Sequence, residues 1–234
     1  AVAAVQLPDI CPRLLTVFED RCPKPWIMVG HSMGAALNLL SLQAGETRFA
    51  GALLSSPMLR VKTGKHSMWS VKLAVRWNIR HGKAGDYVLD EPDDPFGHTF
   101  EKDALTSDEG RYELWRQQMY ACPHLAIGGT TWGWLAFALD AGERALKLKA
   151  LKSVRIPVTV VQAADDDRVW KQTSRWATKR LPHGRYVEIG GAQHEVLMER
   201  DDLRAEAFRE FEALAERVAP AGAEQNRVEL EAAG

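Results

Sequence analysis

The spacing of hydrophobic residues along the 234-residue chain changes period several times, and each change marks an element. Ile10, Leu14, Leu15 and Phe18 fall at helical spacing, so residues 9–21 are expected as an amphipathic helix that stops before Pro23 and Pro25. Trp26-Ile27-Met28-Val29 is a short apolar run without alternation. This is the pattern of a strand covered on both faces of a parallel sheet, and it ends at Gly30. Helical spacing resumes over 33–43 through Met33, Leu37, Leu40 and Leu42, and Phe49 to Leu54 reads as a second buried strand closed by Ser55-Ser56-Pro57. Strand, helix and strand in succession imply parallel pairing and an α/β architecture. From about residue 155 the alternation returns. Val158 to Val161 reads as a strand, 170–180 as a helix and Tyr186 to Ile189 as a strand. Residues 201–218 read as a long amphipathic helix with Leu203, Phe208, Phe211, Leu214 and Val218 on one side. The Ala, Gly and Glu-rich stretch after Pro220, 219–234, has the composition of a disordered tail.

Residues 59–150 break this rhythm and are too long for an ordinary connection, so they are expected to carry structure of their own. The organisation read from the chain is therefore a core half (1–58), an insertion (59–150) and a second core half (151–218). Five of the eight tryptophans lie in the insertion: Trp69, Trp77, Trp115, Trp132 and Trp134. Between Lys62 and Lys83 the insertion is rich in Lys and Arg and has no acid. In that stretch Trp69, Val71, Leu73, Val75, Trp77 and Ile79 alternate as in a strand, while Trp69, Leu73 and Trp77 also share a helical face. Periodicity leaves both assignments open.

Composition narrows the function classes. With 46% apolar residues the chain can bury a full core, and 30 Lys+Arg nearly cancel 31 Asp+Glu, so no global field points to nucleic acid. Cys11, Cys22 and Cys122 form no CxxC pair and are each followed by proline. They are expected as buried or idle thiols of a cytoplasmic protein, with neither disulfide framework nor metal site. The longest apolar runs fall far short of the roughly 20 residues that span a bilayer, and no signal peptide is read at the N-terminus.

Gly30-His31-Ser32-Met33-Gly34 fits G-x-S-x-G between an apolar strand and an apolar helix, the context in which that motif forms a nucleophile elbow. A serine on such a turn takes a strained backbone conformation, and the flanking glycines are expected to relieve collisions with the neighbouring strand and helix. The hydroxyl then stands at a helix N-terminus, where the dipole favours developing negative charge, with the Met33 N–H as an oxyanion donor. A serine hydroxyl needs a base to take its proton and a carboxylate to orient that base, and on this strand-turn-helix the chain order is Ser, acid, His. His66, His81, His98 and His124 lie in the insertion, and His183 sits beside Pro182 in a turn. His194 follows the last strand and Gly190-Gly191, at the carboxyl end of the sheet where ligands collect. Asp165, Asp166 and Asp167 are three adjacent candidates for the acid, and spacing alone does not choose among them.

These residues resemble the bacterial lysophospholipases and monoacylglycerol lipases of the α/β-hydrolase superfamily. The likeness runs through Trp26 to Gly34, Leu54 to Met58, Leu105 to Asp108, Leu125 to Trp134 and Gly191 to Glu195, and so over nearly all of residues 9–218. It implies an α/β-hydrolase fold with a helical lid formed by the insertion, and a Ser32, Asp166, His194 triad. Asp166 is chosen because it lies four residues after Gln162 and three before Val169, with Asp167 as runner-up. The family also carries strands ahead of the elbow strand, and a loop there supplies a second oxyanion N–H. No such segment is read ahead of Trp26 in these residues, which do not begin with Met. On this reading its N-terminal strands are missing, four strands remain and the elbow strand lacks one neighbour.

The implied activity is hydrolysis of a lysophospholipid, monoacylglycerol or similar carboxylic ester, without cofactor or metal. The basic, Trp-rich lid would contact an anionic membrane from its periphery. The alternatives are acyl transfer by the same triad, or a catalytically weak fragment acting as a binding or scaffold module.

Overall fold

A computed structural model describes residues 15–18, 21–88, 96–97, 99–100 and 105–220. Residues 15–18 are helical, whereas Ile10, Leu14, Cys11, His98 and the expected tail beyond Pro220 lie outside the described residues. The chain then runs β1 (Trp26–His31), α1 (Ser32–Gln43) and β2 (Phe49–Ser55). After a long helical segment come β3 (Val158–Ala163), α6 (Lys171–Thr178), β4 (Gly184–Ile189) and α7 (Asp201–Val218). The four strands form one sheet in the order β1-β2-β3-β4, every neighbouring pair parallel, with Gly30 opposite Leu54 and Leu54 opposite Val160. This is the α/β-hydrolase arrangement of a parallel sheet flanked by helices. Among the described residues β1 lies at one edge of the sheet.

Two cores follow from the period-2 alternation of the strands. Met28, Leu54, Val158 and Val160 point to one face, where Ala35, Ala36, Leu39 and Leu42 of α1 cover them. Leu53, Val161 and Ala163 point to the other face and meet Leu203, Ala207 and Leu214 of α7. All six residues of β3 are buried, which is why no alternation shows in its sequence.

The helical faces depart from expectation in two places. In α1 the deepest residues are Ala35, Ala36 and Leu39, whereas Met33 is exposed. The reason is that α1 is packed between the sheet and two further helices, and small side chains permit that approach. Phe208 of α7 is exposed beneath the Arg204 guanidinium rather than in the core.

The stretch between β2 and β3 holds α2 (Met68–Arg80), α3 (Glu109–Ala121), α4 (Trp132–Ala145) and α5 (Leu148–Ser153). The ambiguous pattern over 69–79 resolves as helix α2, started by Ser67, whose hydroxyl accepts from the Ser70 N–H at 3.1 Å. Only Val75 of α2 is fully buried, and Trp69 and Trp77 are 74% and 52% exposed. Trp69, Leu73 and Trp77 thus form an apolar stripe that faces outward, while Val75 of the same run packs inward. Helix α4 approaches the chain after β2 so closely that a Cβ on Gly142 would lie 2.4 Å from the Leu59 carbonyl oxygen. Cys22 is exposed rather than buried, and both Cys22 and Cys122 are free thiols.

The two elbow glycines are not equivalent. A Cβ at Gly30 would lie 2.5 Å from the Asn38 amide nitrogen and 2.8 Å from the Ala35 backbone nitrogen, whereas a Cβ at Gly34 meets nothing within 4 Å. The collision expected at Gly34 is therefore absent. Gly30→Ala is expected to cost about 1–3 kcal/mol through overpacking. Gly34→Ala, inside α1, is expected to gain up to about 1 kcal/mol of helix propensity. Urea unfolding of both variants measures this directly, and equal losses at the two positions would contradict it.

Candidate active site

Three loops at the carboxyl ends of β1, β3 and β4 carry the expected residues. Ser32 follows β1 as the first residue of α1 with φ +48°, a left-handed conformation rare for a residue with a Cβ. His31 precedes it as the helix cap in extended conformation, and Met33 follows in the first turn, where backbone N–H groups have no intrahelical acceptor. Gly30 and Gly34 bracket the turn as described above.

Ser32 Oγ lies 2.9 Å from His194 Nε2, and His194 Nδ1 lies 2.9 Å from Asp166 Oδ2. His194 and Asp166 are 5% and 4% exposed. Asp166 is thus the one member of the acidic triplet in contact with the imidazole. Asp165 is exposed, and Asp167 pairs with the Arg168 guanidinium at 3.2 Å. His183, His66, His81 and His124 are exposed and lie outside this constellation.

The carboxylate of Asp166 is fully engaged. Oδ1 accepts from the N–H groups of Arg168 and Val169 at 2.9 and 3.0 Å, and Oδ2 accepts from Gln162 Nε2 at 2.9 Å as well as facing His194. Burial alone would raise its pKa, but the hydrogen bond and charge of His194 and the two backbone N–H groups outweigh it and hold the carboxyl below the usual aspartate range. It therefore stays ionised wherever an imidazole titrates. An ionised acid with its hydrogen-bond partner on Nδ1 leaves Nε2 as the nitrogen free to take a proton from Ser32.

Around the triad, His31 of the elbow and several residues without a motif signal make further contacts. His31 Nε2 stands 3.0 Å from Glu195 Oε1, His31 Nδ1 stands 3.3 Å from the Ser55 hydroxyl, and the His31 ring lies edge-on to His194 at 4.9 Å. Burial pushes the Glu195 carboxyl up, yet His31 and His194 bring it below its ordinary value. Lys62 turns inward and donates to the Asp166 carbonyl at 2.6 Å, so it does not belong to a free basic face. Ser56, after β2, has φ +39°, and its hydroxyl accepts from the Ala163 N–H at 3.3 Å. Fixed adjacency in the sequence could have singled out Glu195, next to His194, but the pairings of Lys62 and Ser56 arise from tertiary contact.

The chain matches the family Hydrolase_4, serine aminopeptidase S33, over residues 14–201, and it belongs to that family. Two curated relatives are lysophospholipases. It is 27% identical over 182 residues to the probable lysophospholipase L2 of Haemophilus influenzae, covering 78% of this chain and 56% of the relative. It is 27% identical over 198 residues to lysophospholipase L2 of Escherichia coli K12, covering 80% and 57%. The chain thus spans little more than half the length of these curated relatives. Among solved structures it resembles the monoacylglycerol lipase of Paleococcus ferrophilus, with TM-score 0.64, 19% identity and coverage of 90% of this chain and 75% of the other. It also resembles a soluble variant of the monoglyceride lipase of Saccharomyces cerevisiae, with TM-score 0.63, 18% identity and coverage of 89% and 69%.

The lowered pKa of Asp166 has a consequence for stability. The stability that its ionised form contributes is complete above the unfolded value of about 3.9 and drains away as pH falls through the lower native value. The stability gap between the parent and Asp166→Asn is therefore expected to narrow from about pH 5 toward pH 2, as read by urea midpoints. A gap that widens on acidification would contradict the assignment.

Proposed function

We propose that this chain is a serine ester hydrolase acting on a lysophospholipid, a monoacylglycerol or a similar lipid-like carboxylic ester. The observation that carries the reading is the hydrogen-bonded series Ser32, His194, Asp166, with 2.9 Å at both links. Ser32 Oγ attacks the acyl carbonyl carbon while His194 Nε2 takes its proton, and the carbonyl oxygen becomes an oxyanion facing the Met33 N–H. Collapse of this intermediate expels the alcohol, which receives the proton from His194 and leaves an acyl ester on Ser32. Water then attacks that ester with His194 again as base, releasing the carboxylic acid and restoring the serine. Asp166 remains ionised throughout and stabilises the imidazolium formed at each step.

The substrate class rests on the names of the relatives and on the segment between β2 and β3, which we read as the lid. On α2 the outward stripe of Trp69, Leu73 and Trp77 is interleaved with Arg76 and Arg80 and flanked by Lys65 and Lys83. Such a helix suits the boundary between an anionic headgroup layer and acyl chains, and it supports action from the membrane periphery. Among the described residues no helix is long and apolar enough to cross a membrane.

Ser32→Ala and His194→Ala are each expected to abolish both fluorophosphonate labelling and turnover of a short nitrophenyl ester. Asp166→Asn is expected to lower turnover by about 10⁴, the loss measured for the equivalent change in another serine hydrolase, with Asp165→Asn and Asp167→Asn near the parent. Substantial turnover in either alanine variant, or a larger loss at Asp167 than at Asp166, would sink the assignment. For the lid, Trp69→Ala combined with Trp77→Ala is expected to weaken hydrolysis of ester presented in anionic vesicles and to spare the soluble ester. Equal effects on both substrates would return the stripe to ordinary surface.

A further inference from the structure

Glu199 is fully buried, and among the described residues its carboxylate is hydrogen-bonded by backbone and hydroxyl donors and not by a cationic side chain. It is held instead by donors from two distant parts of the chain. Oε1 accepts from the N–H of Gln193 at 2.8 Å and from the N–H of Ser107 at 3.0 Å. Oε2 accepts from the Ser107 hydroxyl and, at 3.3 Å, from the N–H of Arg200. Gln193 immediately precedes His194, and Ser107 belongs to the segment just before α3. One carboxylate therefore joins the loop that carries the imidazole to the long segment between β2 and β3.

The same junction is stitched at four more points. The Glu195 N–H donates to the Leu105 carbonyl at 2.8 Å, and the Thr106 hydroxyl donates to the Met198 carbonyl at 2.7 Å. Arg111 in the first turn of α3 donates to the Glu199 carbonyl and, at 2.5 Å, to Asp201 Oδ1. Residues 193–201 thus form a tight loop whose inner acceptor is Glu199 and whose outer wall is 105–111. An acceptor-only side chain suits a cluster made only of donors. A side chain with donors of its own would face the Arg200 N–H donor against donor.

We propose that Glu199 is a positioning residue for His194: through the Gln193 N–H it transmits the seating of Leu105–Ser107 to the imidazole. This rests on the serine hydrolase reading above for its kinetic consequence, although not for its structural one. A displacement of the reacting groups by about 1 Å can cost on the order of 10²-fold in rate, so a loosened clamp acts on the chemistry while leaving the substrate-contacting surface untouched.

The test uses Glu199→Gln, Ser107→Ala and Ser107→Thr in the whole chain, with two readouts besides melting. The first is the downfield proton resonance of His194 Nδ1–H, which reports the bond to Asp166 and needs no substrate. The second is the rate of fluorophosphonate labelling of Ser32, alongside KM for a short soluble ester. Glu199→Gln is expected to broaden or abolish the resonance and to slow labelling at least tenfold with KM unchanged, because positioning and not binding is lost. Ser107→Ala is expected to slow labelling about threefold, and Ser107→Thr, which keeps the hydroxyl, to restore it. Parental resonance and parental labelling in a folded Glu199→Gln would overturn the proposal. If Glu199→Gln does not fold, the half-buried Ser107 pair decides alone, and equal rates for Ala and Thr overturn it. If the parent itself is not labelled, the hydrolase reading fails, and the His194 resonance still decides the role of Glu199.

Discussion

A serine with φ +48° sits in a backbone region that costs on the order of 1–3 kcal/mol, so the surroundings must force it there. At Ser32 they do so from three sides. Below, β1 enters through Gly30, where the close approach of Ala35 leaves no room for a Cβ. Ahead, α1 begins at once and fixes the direction of exit. Beside it, the Met58 N–H donates to the Ser32 carbonyl at 3.0 Å, and Met58 is itself held by the turn that carries Ser56 at φ +39°. Two serines at positive φ, just past the ends of adjacent strands, are thus linked through Met58, and the hydroxyl of Ser32 stands toward His194.

The parallel sheet then does the rest of the assembly. Because all four strands run the same way, the ends of β1, β3 and β4 open on one edge, and loops from residues far apart in sequence meet there. Their alignment is tightened by cross-loop bonds. Asp165 N–H donates to the Ala192 carbonyl at 3.0 Å, which ties the acid loop to the histidine loop. Val61 bridges Val169, and Lys62 reaches the Asp166 carbonyl, which ties the acid loop to the chain leaving β2. The segment between β2 and β3 is consequently fastened to the acid loop at its start and to the histidine loop around residue 105. That segment is therefore not independent of the two loops that carry the acid and the imidazole.

Much of this was legible in the residues. β3 was readable as an unbroken apolar run, because burial on both faces removes alternation, whereas β1 reads the same way and yet leaves Val29 49% exposed at the sheet edge. Helix 201–218 was placed to the residue, although Phe208 of its expected inward face is exposed. The elbow was readable because strand, glycine, serine and helix lie in consecutive positions. Choosing Asp166 within 165–167 needed a resemblance, since three adjacent carboxylates differ only in where a loop turns them. Helix α2 was ambiguous for a physical reason. Its apolar residues lie on two faces, Val75 packed inward and Trp69, Leu73 and Trp77 outward, so the run fits a strand's alternation as well as a helix. The roles of Lys62, Ser56 and Glu199 were hidden because each depends on a partner about 90 or more residues away.

In the proposed mechanism Ser32, His194 and Asp166 form the reacting unit, and the charge of the intermediate is received at the start of α1. A crystal structure of the chain after reaction with a fluorophosphonate tests this most directly. The expected adduct has a covalent bond from Ser32 Oγ to phosphorus, His194 still bonded to Asp166, and the phosphoryl oxygen about 2.7–3.1 Å from the Met33 backbone nitrogen. An adduct on another residue, or a phosphoryl oxygen turned away from the α1 N-terminus, would contradict it.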